Sequence, residues 1–103
     1  MEKTRFSALI QGSSDLDDVL RARGIENLVI TGTLTNMCCE ATARDGAMIG
    51  YRVTMVSDAN SARHDEDHLY ALATVYQSFG DVRTTDEVIG EVLAPDDSAA
   101  AAE

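Results

Sequence analysis

The sequence predicts an α/β fold, a partial Rossmann-like parallel sheet flanked by helices. Three observations predict it. Short apolar runs alternate with longer stretches of helical periodicity, the pattern of βαβ units. The run Leu28-Val29-Ile30 is apolar at successive positions rather than alternating, as expected of a strand covered on both faces. The helical stretches stop at glycines, Gly24, Gly50 and Gly80.

The elements follow in order. Ser13-Ser14-Asp15-Leu16-Asp17 reads as a helix start, with Ser14 and Asp17 at capping-box spacing. Leu16, Val19 and Leu20 then share one face. A strand is predicted over 27–31 and a second helix over 36–49. That helix is rich in small residues (Ala41, Ala43, Gly46, Ala47), which suits close approach to a sheet. The next strand is predicted over 52–57, stopping at Asp58-Ala59. A third helix covers 65–79, with Leu69, Leu72, Ala73, Tyr76 and Phe79 at helical spacing. Residues 81–83 make a brief strand. Thr84 and Glu87 repeat the capping-box spacing and open a last helix through about Leu93. Residues 1–93 are thus read as belonging to a single domain, and 94–103, with Pro95 and an Asp/Ser/Ala run, as a disordered tail.

Composition narrows the function. The chain has 103 residues, 45% of them hydrophobic, enough for one small domain with a packed core. Its net charge of −10 argues against nucleic acid and against anionic membrane surfaces, both of which need clustered Lys and Arg. No apolar run reaches the length of a membrane span, and Met1-Glu2-Lys3-Thr4-Arg5 lacks the apolar stretch of a signal peptide behind it. Two cysteines adjacent in sequence cannot staple a loop, so a reducing compartment, the cytoplasm, is expected. Gly32 stands alone and lacks the spacing of a phosphate-cradling loop, and no cofactor is predicted.

The segment Gly32-Thr33-Leu34-Thr35-Asn36-Met37-Cys38-Cys39 is the place for chemistry. Cys38 sits where a strand turns into a helix, and the positive end of the helix dipole favours a thiolate, the nucleophilic form. Cys39 is read as core packing. His64 and His68 are four apart and could present two imidazoles on one helix face. Asp65, Glu66 and Asp67 between them have a simpler explanation, acidic residues at a helix N-terminus, and no metal is assigned.

These residues resemble the isochorismatase-like cysteine hydrolases, a family that includes nicotinamidases and ureidoacrylate-type amidohydrolases. The nucleophile segment resembles the family's strand, Gly-x-x-Thr-Asn-x-Cys and helix, continuing here as Thr42-Ala43-Arg44-Asp45. Gly50-Tyr51-Arg52-Val53, Val56-Ser57-Asp58-Ala59, Phe79-Gly80-Asp81-Val82 and Thr84-Thr85-Asp86-Glu87-Val88-Ile89 follow in the family's order. Upstream, Lys3-Thr4-Arg5-Phe6-Ser7-Ala8-Leu9 resembles the loop that carries the catalytic lysine.

The resemblance implies an Asp–Lys–Cys triad, of which Lys3 and Cys38 map here. The aspartate belongs to early strands that this chain is expected to lack, making it the carboxyl-terminal portion of the fold. It further implies an oxyanion hole from the N–H groups of Leu34 and Cys38, a cis peptide at Thr33–Leu34, and a pocket to which Phe6, Thr35 and Asn36 contribute. Asp58 is implied to be structural. The expected activity is hydrolysis of a C–N bond in a small amide or carbamoyl substrate through a thioester. The expected partners are a second copy or a complementary N-terminal half. The alternative is a truncated homologue without activity, acting only in association.

Overall fold

The computed structural model describes residues 2–92. Three parallel strands, β1 (Asn27–Thr33), β2 (Arg52–Ser61) and β3 (Asp81–Arg83), form one sheet in the order β1-β2-β3. Helices α1 (Leu16–Ala22), α2 (Glu40–Met48) and α3 (Asp65–Ser78) separate and precede them, and a short α4 (Thr85–Glu87) runs on into a π-helical turn at Val88–Val92. The alternation predicted from sequence is therefore the alternation observed, and the fold is α/β.

The core lies between the sheet and the helices. Val53 and Met55 of β2 point from one face into a cluster with Cys39, Ala43, Tyr51, Leu72, Val75 and Leu9. Leu28 and Ile30 of β1 and Leu16 and Leu20 of α1 pack against it. Small residues let α2 approach closely, since Ala43 is fully buried and a Cβ on Gly46 would touch Leu9, Val53 and Leu28. The α1 terminus is tied to the far end of α2, with the Arg21 guanidinium over the Tyr51 ring at 4.3 Å and donating to the Ile49 carbonyl.

Four local expectations change. β1 is covered on one face only: Leu28 and Ile30 are half-buried, whereas Val29 is 42% exposed. β2 runs on through Asp58-Ala59 to Ser61, because its end pairs again with β1 after an irregularity. Ile30 faces Met55 and Gly32 faces Asn60, so Thr31 alone spans the four residues Val56–Ala59. The buried stripe of α3 is Ala71, Leu72 and Val75, while Leu69 and Tyr76 are 63% and 68% exposed. Ser14 does not cap α1; its hydroxyl donates to the Ala8 carbonyl and accepts from the Leu16 N–H. The second capping box forms as read, with the Thr84 hydroxyl on the Glu87 N–H and the Glu87 carboxylate on the Thr84 N–H. The tail read at 94–103 lies outside the described residues.

Two positions set testable constraints. At Gly80 a Cβ would fall 2.2 Å from the Val53 carbonyl oxygen, a backbone atom that cannot step aside. Gly80→Ala is expected to destabilise by about 1–3 kcal/mol, as overpacking does, read as a lower midpoint in urea. Asp58 anchors α4, its Oδ1 accepting from the Thr85 hydroxyl and N–H, each at 2.7 Å. The hydroxyl first and the N–H second hold the Asp58 carboxyl below its ordinary range. A carboxylate depressed in this way stabilises the fold above the ordinary range, and that contribution is lost as pH falls through the folded-state value. The melting-temperature gap between wild type and Asp58→Ala should be full at neutral pH and close on acidification.

Candidate functional site

The carboxyl ends of β1 and β2 meet the N-terminal loop and the turn into α2. After Thr33 the Thr33–Leu34 peptide is cis. Leu34 is extended, and residues Thr35–Cys39 then wind as one wide π-turn that runs directly into α2. Such turns recur at functional sites. The Leu34 carbonyl accepts from both the Met37 and Cys39 N–H groups, which fixes the turn at its start. Gly32 enters this junction at φ +122°, a conformation that suits glycine.

The π-turn sorts its side chains. Thr35 and Cys39 point inward, at 0% and 5% exposure. Cys38 lies between them, half-buried. Burial pushes the Cys39 thiol up, and neighbouring Cys38 adds to the effect, so Cys39 stays protonated packing. Its Sγ faces the Thr31 carbonyl at 3.9 Å. Both cysteines line a cavity of about 250 Å³, with the half-buried Cys38 the more accessible of the two. Lys3, Phe6, Ile30, Gly32 and Thr33 are among the residues that share its walls.

The N-terminal loop carries Lys3 to this cavity. The Thr4 N–H donates to the Ser13 carbonyl and the Thr4 hydroxyl to that of Gly12, each at 3.0 Å. The Ala8 N–H donates to the Thr42 hydroxyl of α2 at 3.1 Å, pinning the loop to the helix that follows Cys38. The Lys3 ammonium donates to the Arg5 and Phe6 carbonyls at 2.6 and 3.2 Å and lies 3.9 Å from Cys38 Sγ. Residues 35 apart in sequence thus place a cation beside a thiol. No aspartate or glutamate lines this cavity among the described residues.

The three pocket residues divide. Phe6 is 60% exposed and lines the cavity. Asn36 is exposed and does not line it. Thr35 does not line it either: its side chain is fully buried, and its hydroxyl is engaged by an imidazole. That imidazole is His68, on α3, with Nδ1 2.8 Å from Thr35 Oγ1 and Nε2 3.0 Å from the Ser57 carbonyl oxygen. Both ring nitrogens are used, so His68 has no lone pair to give a metal. Asn60, opposite Gly32, makes a second tie: its Nδ2 donates to the Ile30 and Val56 carbonyls at 3.0 and 2.6 Å. Its buried Oδ1 has no partner among the described residues. Sequence reasoning missed both ties, since each reaches a partner at least 30 residues away, Thr35 for His68 and Ile30 for Asn60.

A larger concavity, about 700 Å³, lies at the opposite end of the sheet, around Asn27, Arg52 and Asp81, the first residues of the three strands. It is remote from Cys38. No helix among the described residues is long and apolar enough to cross a membrane.

Ureidoacrylate amidohydrolase RutB of Caulobacter vibrioides is 45% identical over 98 residues, covering 92% of this chain and 43% of that protein. An isochorismatase family protein from Burkholderia thailandensis superposes with a TM-score of 0.82 at 36% identity, over 89% of this chain and 47% of that one. A cysteine hydrolase from Pseudomonas syringae pv. phaseolicola gives 0.78 at 39% identity, over 85% and 46%. The chain therefore spans less than half the length of these relatives. The family described as Isochorismatase domain matches residues 1–87, and the chain belongs to it.

Proposed function

We propose that this chain carries the nucleophile and the cation of a cysteine-dependent amidohydrolase acting on a C–N bond of a small amide or carbamoyl compound. The observation that carries the reading is the 3.9 Å approach of the Lys3 ammonium to Cys38 Sγ at the wall of a cavity. The sulfur is the attacking atom, and the ammonium beside it is placed to balance negative charge during the reaction. The amidohydrolase name of the Caulobacter relative supports the reaction class.

In the proposed reaction Cys38 Sγ, having given up its proton to a base, attacks the substrate carbonyl carbon. The carbonyl π pair moves to oxygen, and the N–H groups of Leu34 and Cys38 are the proposed donors to that oxyanion. Collapse breaks the C–N bond, and the nitrogen leaves as an amine that takes up the proton. Water then adds to the thioester, and the acid departs as the thiol re-forms. Lys3 balances negative charge through both halves. The base is a proposal that reaches beyond this chain: no carboxylate lines the cavity among the described residues, and a complementary segment would supply it. General-base action is typically worth about 10²–10⁴ in rate, so the chain by itself should hydrolyse amides very slowly.

The same proposal extends to association. Among the described residues β1 pairs on one side only, with β2, and Val29 is left exposed on its uncovered face. An open apolar strand edge is a template for another chain. A second copy or the complementary half is the occupant proposed, and the two free cysteines suit a reducing, cytoplasmic setting. Association without catalysis is the second reading, favoured by this edge alone.

Alkylation by iodoacetamide near neutral pH separates the two readings. Cys38 is expected to react faster than free cysteine, and Lys3→Ala to slow it by roughly tenfold through loss of the neighbouring charge. A Cys38 no faster than free cysteine would leave only the association reading. Light scattering is expected to give a mass above that of one 11.1 kDa chain. A monomer with a single cooperative melt would remove the association proposal.

A further inference from the structure

We propose that His68 is a positioning residue for Cys38, acting through Thr35 to hold the turn that presents the nucleophile. The inference rests on the reading of Cys38 as the nucleophile and adds a residue from a different helix to that site.

Thr35 is fully excluded from solvent, and its Oγ1 would cost free energy if left unpaired. Its side-chain partner is His68 Nδ1 at 2.8 Å. The other nitrogen faces the Ser57 carbonyl oxygen, which can only accept, so Nε2 carries the hydrogen. In the neutral ring Nδ1 is then an acceptor, and the Thr35 O–H donates to it. The chain of bonds runs Thr35 O–H to His68 Nδ1, then His68 Nε2–H to Ser57 C=O, with one direction throughout.

What this chain joins explains its use. Thr35 is the first residue of the π-turn and follows Leu34, whose carbonyl anchors that turn. Ser57 sits in the irregular stretch of β2 whose continuation pairs with Gly32 and Thr33. His68 therefore ties the start of the nucleophile turn to the strand that flanks it, through a helix none of whose residues lines the cavity. Three elements meet at one imidazole. Loss of either bond frees the turn to shift relative to Lys3, whose loop is pinned separately to Thr42. Displacement of a reacting group by about 1 Å can cost on the order of 10²-fold in rate.

The test uses the full 103-residue chain and the iodoacetamide rate at Cys38, assigned to that residue by tandem mass spectrometry and normalised to the folded fraction from circular dichroism. Thr35→Val keeps the shape and removes the hydroxyl, and is expected to slow Cys38 by roughly tenfold or more. Thr35→Ser restores the hydroxyl and is expected to return the rate to within about twofold of wild type. His68→Asn places an acceptor near the Nδ1 position, whereas His68→Gln places its amide near Nε2, so Asn should keep more of the rate than Gln. Combining Thr35→Val with His68→Gln should cost no more than the larger single effect, because both remove one bond.

The outcomes separate cleanly. A fast wild-type Cys38 with folded Thr35→Val and His68→Gln chains reacting equally fast would overturn the positioning role and leave the nucleophile reading intact. Lower melting temperatures with unchanged rates per folded molecule would do the same. A wild-type Cys38 no faster than free cysteine would overturn both. Should Thr35→Val fail to fold, the order of Asn over Gln at residue 68 decides.

Discussion

The turn from Thr35 to Cys39 is the constraint on which the rest depends. Its two ends are buried and its middle is open. Thr35 and Cys39 are buried at 0% and 5% exposure, and Cys38 between them is the more accessible of the two cysteines at the cavity wall. The first and fifth residues share the inward face, as residues four apart do on a helix, and the fourth is left at its edge. The adjacent cysteines illustrate how strongly environment divides chemistry. One is desolvated and held as a thiol, the other lies beside an ammonium.

Holding that turn takes contributions from every part of the fold. The parallel sheet supplies the strand end, α2 carries the turn onward, and the loop at Lys3–Ser13 brings the cation. Small residues in α2 let it lie close to β2, and Gly80 lets the chain pass the Val53 carbonyl on its way into β3. The exposed ion pairs, such as Glu40 with Arg44, add little, because solvent screens them. Polar ties inside the junction matter more. Asn60 donates to the Ile30 and Val56 carbonyls and His68 faces the Ser57 carbonyl, all beside the irregular pairing of β1 with β2.

Much of this was legible in the sequence. Alternating elements, glycine stops and the Thr84–Glu87 box all describe local geometry, and local geometry is written in neighbouring residues. The misreadings share one cause. Asp58-Ala59 looks like a strand end, yet Asn60 and Ser61 re-pair with Gly32 and Thr33, a decision made by a strand about 30 residues away. Leu69 and Tyr76 carry the helical period of an apolar stripe but stand in solvent, because the sheet selects Ala71, Leu72 and Val75. Val29 reads as buried on both faces, and one face is open. Thr35 reads as a pocket residue because it sits in the motif. Its hydroxyl turns inward to His68, which spacing alone pairs with His64 instead.

The central claim is that one of two neighbouring cysteines is a reactive nucleophile and the other is inert packing. Residue-resolved alkylation of the native chain, compared with the same chain in denaturant, tests it within a single molecule. Cys38 should be labelled faster in the native state than in the denatured state, while Cys39 should be labelled only after denaturation. Native labelling of Cys38 slower than in denaturant, or native labelling of Cys39 at a comparable rate, would contradict the account.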